Sequence, residues 1–168
     1  MTPPYWALSI VYWLHMLATV VWIGSLAALS LLFIPAAKKS LDPNAYANIL
    51  QAVQRRLDPL GWLSLIVLVG TGMFQMSANP NYEGFLSITN RWAIVILLKH
   101  LVFLVMVVIS AYMTWGIMPR LQRAALAQAR GVDANDTNQL QRQEIIVLRL
   151  NLILGAIVLA LTALARAA

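Results

Sequence analysis

The chain has 168 residues, of which 61% are hydrophobic and only 11% are charged, whereas soluble domains usually carry about 25% charged residues. It contains no cysteine, which excludes disulfides, thiolate copper sites, iron–sulfur clusters and covalently attached haem. The excess of 12 basic over 6 acidic residues is explained by membrane topology, so we expect no nucleic-acid partner.

Four apolar stretches are each long enough to cross a bilayer, which takes about 20 helical residues. They cover residues 6–35, 60–78, 92–118 and 145–165. The pattern predicts an all-α, four-transmembrane-helix bundle that forms a single integral membrane domain over residues 1–168, with the lipid bilayer as its surroundings. The first stretch has no basic region before it and is too long for a signal peptide, so we expect it to be retained as a helix.

Basic residues are concentrated in the two connections that would lie on one side of the membrane. These are Lys38, Lys39, Arg55 and Arg56 in the first, and Arg120, Arg123, Arg130 and Arg142 in the second; the other side has Arg91 and Arg166. The positive-inside rule then places both basic connections in the cytoplasm and both termini outside. We expect a multi-pass protein of the bacterial inner (plasma) membrane.

The first basic connection is itself patterned. Residues 44–57 place Tyr46, Ile49, Leu50, Val53 and Leu57 on one helical stripe. This predicts an amphipathic helix at the cytoplasmic surface. In the second connection we expect the third helix to continue, to break at Gly131 and to be followed by a turn over residues 133–138.

Both histidines of the chain fall inside predicted spans at matched depth. His15 follows Trp6, at the outer end of the first span, by nine residues, which is about 14 Å along a helix. His100 follows Trp92, at the outer end of the third span, by eight residues, which is about 12 Å. The first and third helices run in the same direction. A matched pair of imidazoles suits the two axial positions of a b-type haem, and with methionine sulfur it also suits copper.

The neighbours of the histidines complete the candidate cofactor-binding set, which is His15, Thr19, Trp22, Gly72, Met73, Lys99 and His100. Gly72 offers room for a porphyrin edge, and Met73 or Met76 is a candidate sulfur ligand. Lys99 points about 100° away from His100, so we expect it on the flank of a cavity, pairing with a propionate, a carboxylate or a quinone oxygen. The alternative is structural: the histidines link helices, the glycines allow close packing and Lys99 extends towards the membrane surface.

The residues resemble those of a known family. "WLHMLATVVWIGSLAALSLLFIP", with His15, Trp22 and Gly24, looks like the opening helix of CopD-like membrane proteins, and Thr71, Gly72 and Lys99 match later positions of that family. HemJ-type protoporphyrinogen oxidases are similar, with four helices, a histidine in the first and a lysine in the third, and bound haem b. Both resemblances imply a metal or redox cofactor inside a helical bundle.

These residues support four hypotheses for the function. The leading one is a protein that binds haem b through His15 and His100 near the outer face, for electron transfer with a quinone or an external redox partner, or for chemistry as a haem-dependent membrane oxidoreductase. The alternatives are copper binding or transport of the CopD type, porphyrinogen oxidation of the HemJ type, and a non-enzymatic accessory subunit within a homodimer or a larger membrane complex.

Overall fold

The computed structural model of the protein describes residues 4–129 and 137–167. The helices are α1 (Tyr5–Ala27), α2 (Ile34–Ser40), α3 (Pro43–Ser77), α4 (Arg91–Tyr112), α5 (Met118–Ala129) and α6 (Thr137–Ala167). Two π-helical segments, Ala28–Phe33 and Met113–Ile117, join α1 to α2 and α4 to α5. The predicted break at Gly131 and most of the predicted turn over 133–138 lie outside the described residues.

Four helical regions are long and apolar enough to cross a membrane. They are Tyr5–Ser40, Asn48–Ser77, Arg91–Ala124 and Gln139–Ala167. The prediction of an all-α bundle with four spans is confirmed. We call the end of the bundle near Lys38 and Arg55 the basic end, and the opposite end the 78–90 end, after the connection that lies there.

The amphipathic segment 44–57 is helical, but it is continuous with the second membrane helix. Both belong to the 35-residue helix α3, which passes through Pro59. Tyr46 and Leu50 are buried against Ile34 and Leu148, so much of the apolar stripe packs inside the protein. The stripe therefore has a protein partner at the basic end.

Each π-helical segment ends just before an X–Pro pair. Proline has no N–H and its ring clashes with the carbonyl four residues before it, so an α-helix cannot run through it undisturbed. The chain adds a wider turn instead: the N–H of Ile34, before Pro35, bonds to the carbonyl of Leu29. The N–H of Met118, before Pro119, likewise bonds to the carbonyl five residues back. In both spans a hydrogen bond over five residues lets the helix continue past the proline.

The helices pack in antiparallel pairs, α1 against α3 and α4 against α6, and α1 also contacts α6. The buried residues at the centre are apolar: Ala18, Trp22, Leu65, Leu68, Met106 and Val158. The rings of Trp22 and Phe103 meet edge to face at 5.7 Å, which connects α1 to α4. We call this group the central apolar layer.

Gly155 marks the closest approach of three helices beside this layer. A Cβ placed there would lie 3.3 Å from Cε of Met106 and 3.6 Å from Cδ1 of Ile23. A larger side chain would have to displace the side chains of Met106 and Ile23. Gly70 is different, because a Cβ there has nothing within 4 Å.

We predict that Gly155→Leu lowers the free energy of unfolding by about 1–3 kcal/mol, the usual cost of overpacking a filled interior. Gly70→Leu is the matched control, since it adds the same side chain to a helix in open surroundings. Equilibrium unfolding of the purified variants in detergent measures the difference. Equal losses for the two variants would show that the three helices do not meet tightly at Gly155.

Candidate functional site

His15 is half-buried in α1 and is held by a hydroxyl on α3. Its Nδ1 lies 2.8 Å from Oγ1 of Thr71. The Thr71 hydroxyl donates its single proton to the carbonyl of Val67 at 2.5 Å, because a carbonyl can only accept. Thr71 Oγ1 must therefore accept from His15, so the imidazole carries its proton on Nδ1 and leaves the lone pair of Nε2 free.

His100 is half-buried in α4 and has the same tautomer for a different reason. Its Nδ1 lies 2.7 Å from the carbonyl oxygen of Ile96, one turn back in the same helix. The oxygen can only accept, so Nδ1 again carries the proton. Histidines that bind metals typically donate one ring N–H to a carbonyl or a similar group and coordinate through the other nitrogen. Both imidazoles have this arrangement.

Two cations lie near His15 at the 78–90 end. The charges of Lys99 on α4 and Arg166 on α6 both act on His15, and the charge of Arg166 also acts on Lys99. The guanidinium of Arg166 lies 5.5 Å from the ring centre of Tyr12, which belongs to the turn of α1 before His15. The structure therefore gathers an imidazole and two positive charges from three helices, an arrangement that favours a negatively charged group.

His100 has different surroundings. Its ring packs edge-on against Phe85 at 5.3 Å between ring centres. Phe85 follows Gly84, whose φ of +134° is one that a side chain would strain. Within the part of the chain that the structure describes, the hydrogen bonds and the ring contact of the two histidines go to different partners. That the two histidines share one ligand stays a prediction.

Of the other predicted site residues, some lie beside His15 and others do not. A Cβ on Gly72 would lie 3.6 Å from Cε1 of His15, so this glycine borders the imidazole directly. Thr19 donates its hydroxyl to the backbone carbonyl of His15 at 2.7 Å, a bond within one helix. Trp22 belongs to the central apolar layer, and Met73 is 57% exposed.

Met76 is placed better than Met73 for a role at this end. It is 7% exposed and packs with Trp92, Ala93 and Ala165. It also lies four residues after Gly72, on the same face of α3. Among the described residues no three His, Cys, Asp or Glu side chains converge, so a metal ion here would need a donor of another type beside the imidazoles.

Sequence reasoning misses two contributions to this site. Thr71 stands out in the sequence only through its resemblance to a family motif, although the Thr–Gly pair at the depth of His15 could have suggested a hydroxyl partner. Arg166 stands out only as a basic residue near the end of the fourth helix. The fourth membrane helix runs antiparallel to the third and ends at the 78–90 end. Counting residues back from that end would have placed Arg166 level with the first turns of α1.

The tautomer of His15 gives a direct test, because the chain has only two histidines. With ¹⁵N-labelled histidine, we expect both imidazoles to show a protonated Nδ1. Thr71→Val should change the pattern of His15 alone, since valine cannot accept a hydrogen bond.

Thr162→Val is the control for this test. The hydroxyl of Thr162 donates to the carbonyl one turn back, as that of Thr71 does, but no imidazole binds to it. A wild-type His15 protonated on Nε2 would contradict the bond from His15 to Thr71.

Comparison with known proteins gives one family. The family model described as CopD, copper resistance protein D, matches residues 51–165. The match includes Gly72, Met76, Lys99 and His100, and it begins after His15. No curated protein and no solved structure matches the chain.

Proposed function

Because the chain belongs to the CopD family of copper resistance proteins, we propose that it binds copper near the 78–90 end of the bundle, with His15 and His100 as imidazole donors. The observation that carries the proposal is the shared tautomer: each Nδ1–H is fixed by an oxygen, and each Nε2 has no hydrogen-bond partner among the described residues. The free nitrogen is the atom that a metal ion requires.

The donors fit the monovalent ion better than the divalent one. Cu(I) is soft and accepts imidazole and thioether ligands. The thioether we assign is that of Met76, because it is buried on the Gly72 face while Met73 is exposed. Lys99 and Arg166 act on His15 as positive charges, and they oppose a divalent ion twice as strongly as a monovalent one.

The same two cations favour a second candidate, haem b. A haem carries two propionate groups, whose negative charges match Lys99 and Arg166, and its iron takes imidazole ligands. Gly72 borders His15 without a side chain, so α3 adds no Cβ beside the edge of the imidazole. When bound, the group would supply one-electron transfer, with a quinone or an external protein as the redox partner. HemJ-type porphyrinogen oxidation is a special case of this candidate.

The proposal includes a setting for the protein. The basic residues near α2 and α5 favour an orientation with the 78–90 end outside a bacterial inner membrane. Copper would then bind on the side from which external metal arrives. A homodimer or a larger membrane complex is compatible with the exposed apolar faces of the helices, which lipid also covers.

We predict that protein purified after growth with copper retains the metal, and that His15→Asn and His100→Asn each reduce copper affinity by at least about 10–100-fold. Asparagine is chosen because its amide N–H can still donate to Thr71 or to the Ile96 carbonyl while the Nε2 donor is lost. Elemental analysis and competition with a Cu(I) chelator measure the effect.

The visible spectrum of the same preparations decides between the candidates. A colourless protein with copper supports the first, and a Soret band that either variant abolishes supports haem. A preparation with neither copper nor haem, from cells supplied with both, would contradict both candidates and leave the accessory-subunit hypothesis.

The two methionines give a matched pair. We predict that Met76→Leu weakens Cu(I) binding by about tenfold or more, whereas Met73→Leu leaves it unchanged, because only Met76 faces the interior of the bundle. The same chelator competition measures both variants. A larger loss for Met73→Leu would show that the exposed sulfur is the ligand.

A further inference from the structure

A second polar site lies on the other side of the central apolar layer, towards the basic end. It is a cavity of about 80 Å³ between α1, α3, α4 and α6. Its walls include Trp22 and Leu65 of the apolar layer, and its polar lining residues are Ser25, Gln54, Asp58, Ser110, Thr114 and Asn151. Among the described lining residues there is no lysine, arginine or histidine.

Two amide oxygens at this cavity have no partner. Gln54 and Asn151 are each 3% exposed, and their NH₂ groups donate to Oε1 of Glu144 and to Oγ of Ser110. Gln54 Oε1 and Asn151 Oδ1 are thereby left buried without a hydrogen-bond donor in the described chain. Buried acceptors of this kind are destabilising unless a ligand satisfies them.

Both π-helical segments border the same cavity. Leu29 of the first segment lines it, as do Met113 and Thr114 of the second. Such wide turns are uncommon, and they occur frequently at functional sites. The two irregular parts of the membrane helices and the two unpaired amides therefore converge on one place.

The chemistry of the lining points to a positively charged ligand. Its polar atoms include the carboxylate oxygens of Asp58, the two unpaired amide oxygens and the hydroxyl oxygen of Ser25, whose own proton goes to the carbonyl of Val21. We propose that this cavity is a binding site for a small monovalent cation, an alkali-metal ion or a proton, held by oxygen atoms around Asp58. The site is separate from the histidine site and does not depend on a metal there.

Size and charge support a monovalent ion. The cavity volume of about 80 Å³ is large enough for a small ion together with water molecules that coordinate it. Asp58 is the only carboxyl group among the described lining residues, whereas Ca²⁺ and Mg²⁺ sites commonly use more negative charge and six or more oxygens. A cation also neutralises a carboxylate that is expensive to keep inside a membrane.

A line of polar groups leads from the cavity to the basic end. Glu144, which is fully buried, receives the hydrogen bond from Gln54 on the cavity side. Beyond it the positive charge of Lys38 acts on Glu144, and Lys38 Nζ lies 5.6 Å from the ring centre of Tyr46. Burial, together with the charge of Glu144, raises the pKa of Tyr46, so its phenol keeps its proton. Arg55 and Arg56, on α3, are exposed and are not among the described lining residues of the cavity.

Thermal unfolding in detergent tests the site with Li⁺, Na⁺ and K⁺, each compared with choline at equal ionic strength and pH. We expect at least one alkali ion to raise the unfolding temperature by about 2–4 °C or more, because a ligand that binds only the native state stabilises it. Asp58→Asn should reduce the affinity for that ion by tenfold or more, on the order of what one lost charge contributes.

A loss of ion affinity in Asp58→Asn could also come from misfolding, so Asn151→Asp is a second variant in which the affinity is expected to rise. The new carboxylate can accept from Ser110 in place of the amide bond and adds negative charge, so it should tighten ion binding by about tenfold. Glu83→Gln is the control, since it removes a carboxyl group from the 78–90 connection. Unchanged affinity in Asn151→Asp, or an equal loss in Glu83→Gln, would overturn the proposal.

Infrared spectroscopy distinguishes the proton from the alkali ions. If the proton is the ligand, no alkali ion has an effect, and the wild type shows a protonated-carboxyl band that fades as the pH rises and is missing in Asp58→Asn. The proposal would be overturned if no alkali ion changed the unfolding temperature and the infrared spectrum also gave no support. That is the case if the carboxyl band never changes with pH, or if no band is lost in Asp58→Asn.

Discussion

An apolar layer across the middle of the bundle separates two sets of polar side chains, and both candidate sites depend on it. The layer includes Trp22 and Met106, and Gly155 of α6 packs closely beside the side chain of Met106. Lipid offers no hydrogen bonds, so polar groups within a span must be satisfied by the protein or by a ligand. Apart from the indole N–H of Trp22, the buried side chains of the layer are apolar, so the polar groups on its two sides depend mainly on partners on their own side.

The two sides differ in the sign of the charge that they present. On the 78–90 side the charges of Lys99 and Arg166 act on an imidazole, whereas the other side has oxygen acceptors around Asp58. One arrangement suits a negatively charged group or a soft metal ion bound through nitrogen, and the other suits a hard cation. A single ligand would not fit both, so the two proposed sites are distinct in their chemistry as well as in their place in the bundle.

The sequence predicts the four spans because apolar runs of this length are rare outside membrane helices. It also predicts the depths of His15 and His100, since helical rise is constant. It could not predict that Lys99 acts on His15, because that depends on how α4 is rotated within the bundle. The cavity could not be predicted from the sequence either. It is formed by residues far apart in the chain, such as Gln54 and Asn151, and Gln54 is hydrogen-bonded to the equally distant Glu144. The continuity of α3 was missed because proline in a helix usually predicts a break.

That continuity has a mechanical consequence. A helix of 35 residues is about 52 Å long, so its amphipathic first part extends beyond the roughly 30 Å of a hydrocarbon core. Membrane helices adapt to bilayers of different thickness by tilting, and α3 carries Thr71 near one end and Gln54 near the other. Because one continuous helix contributes to both polar sites, any change in its tilt would displace Thr71 and Gln54 together.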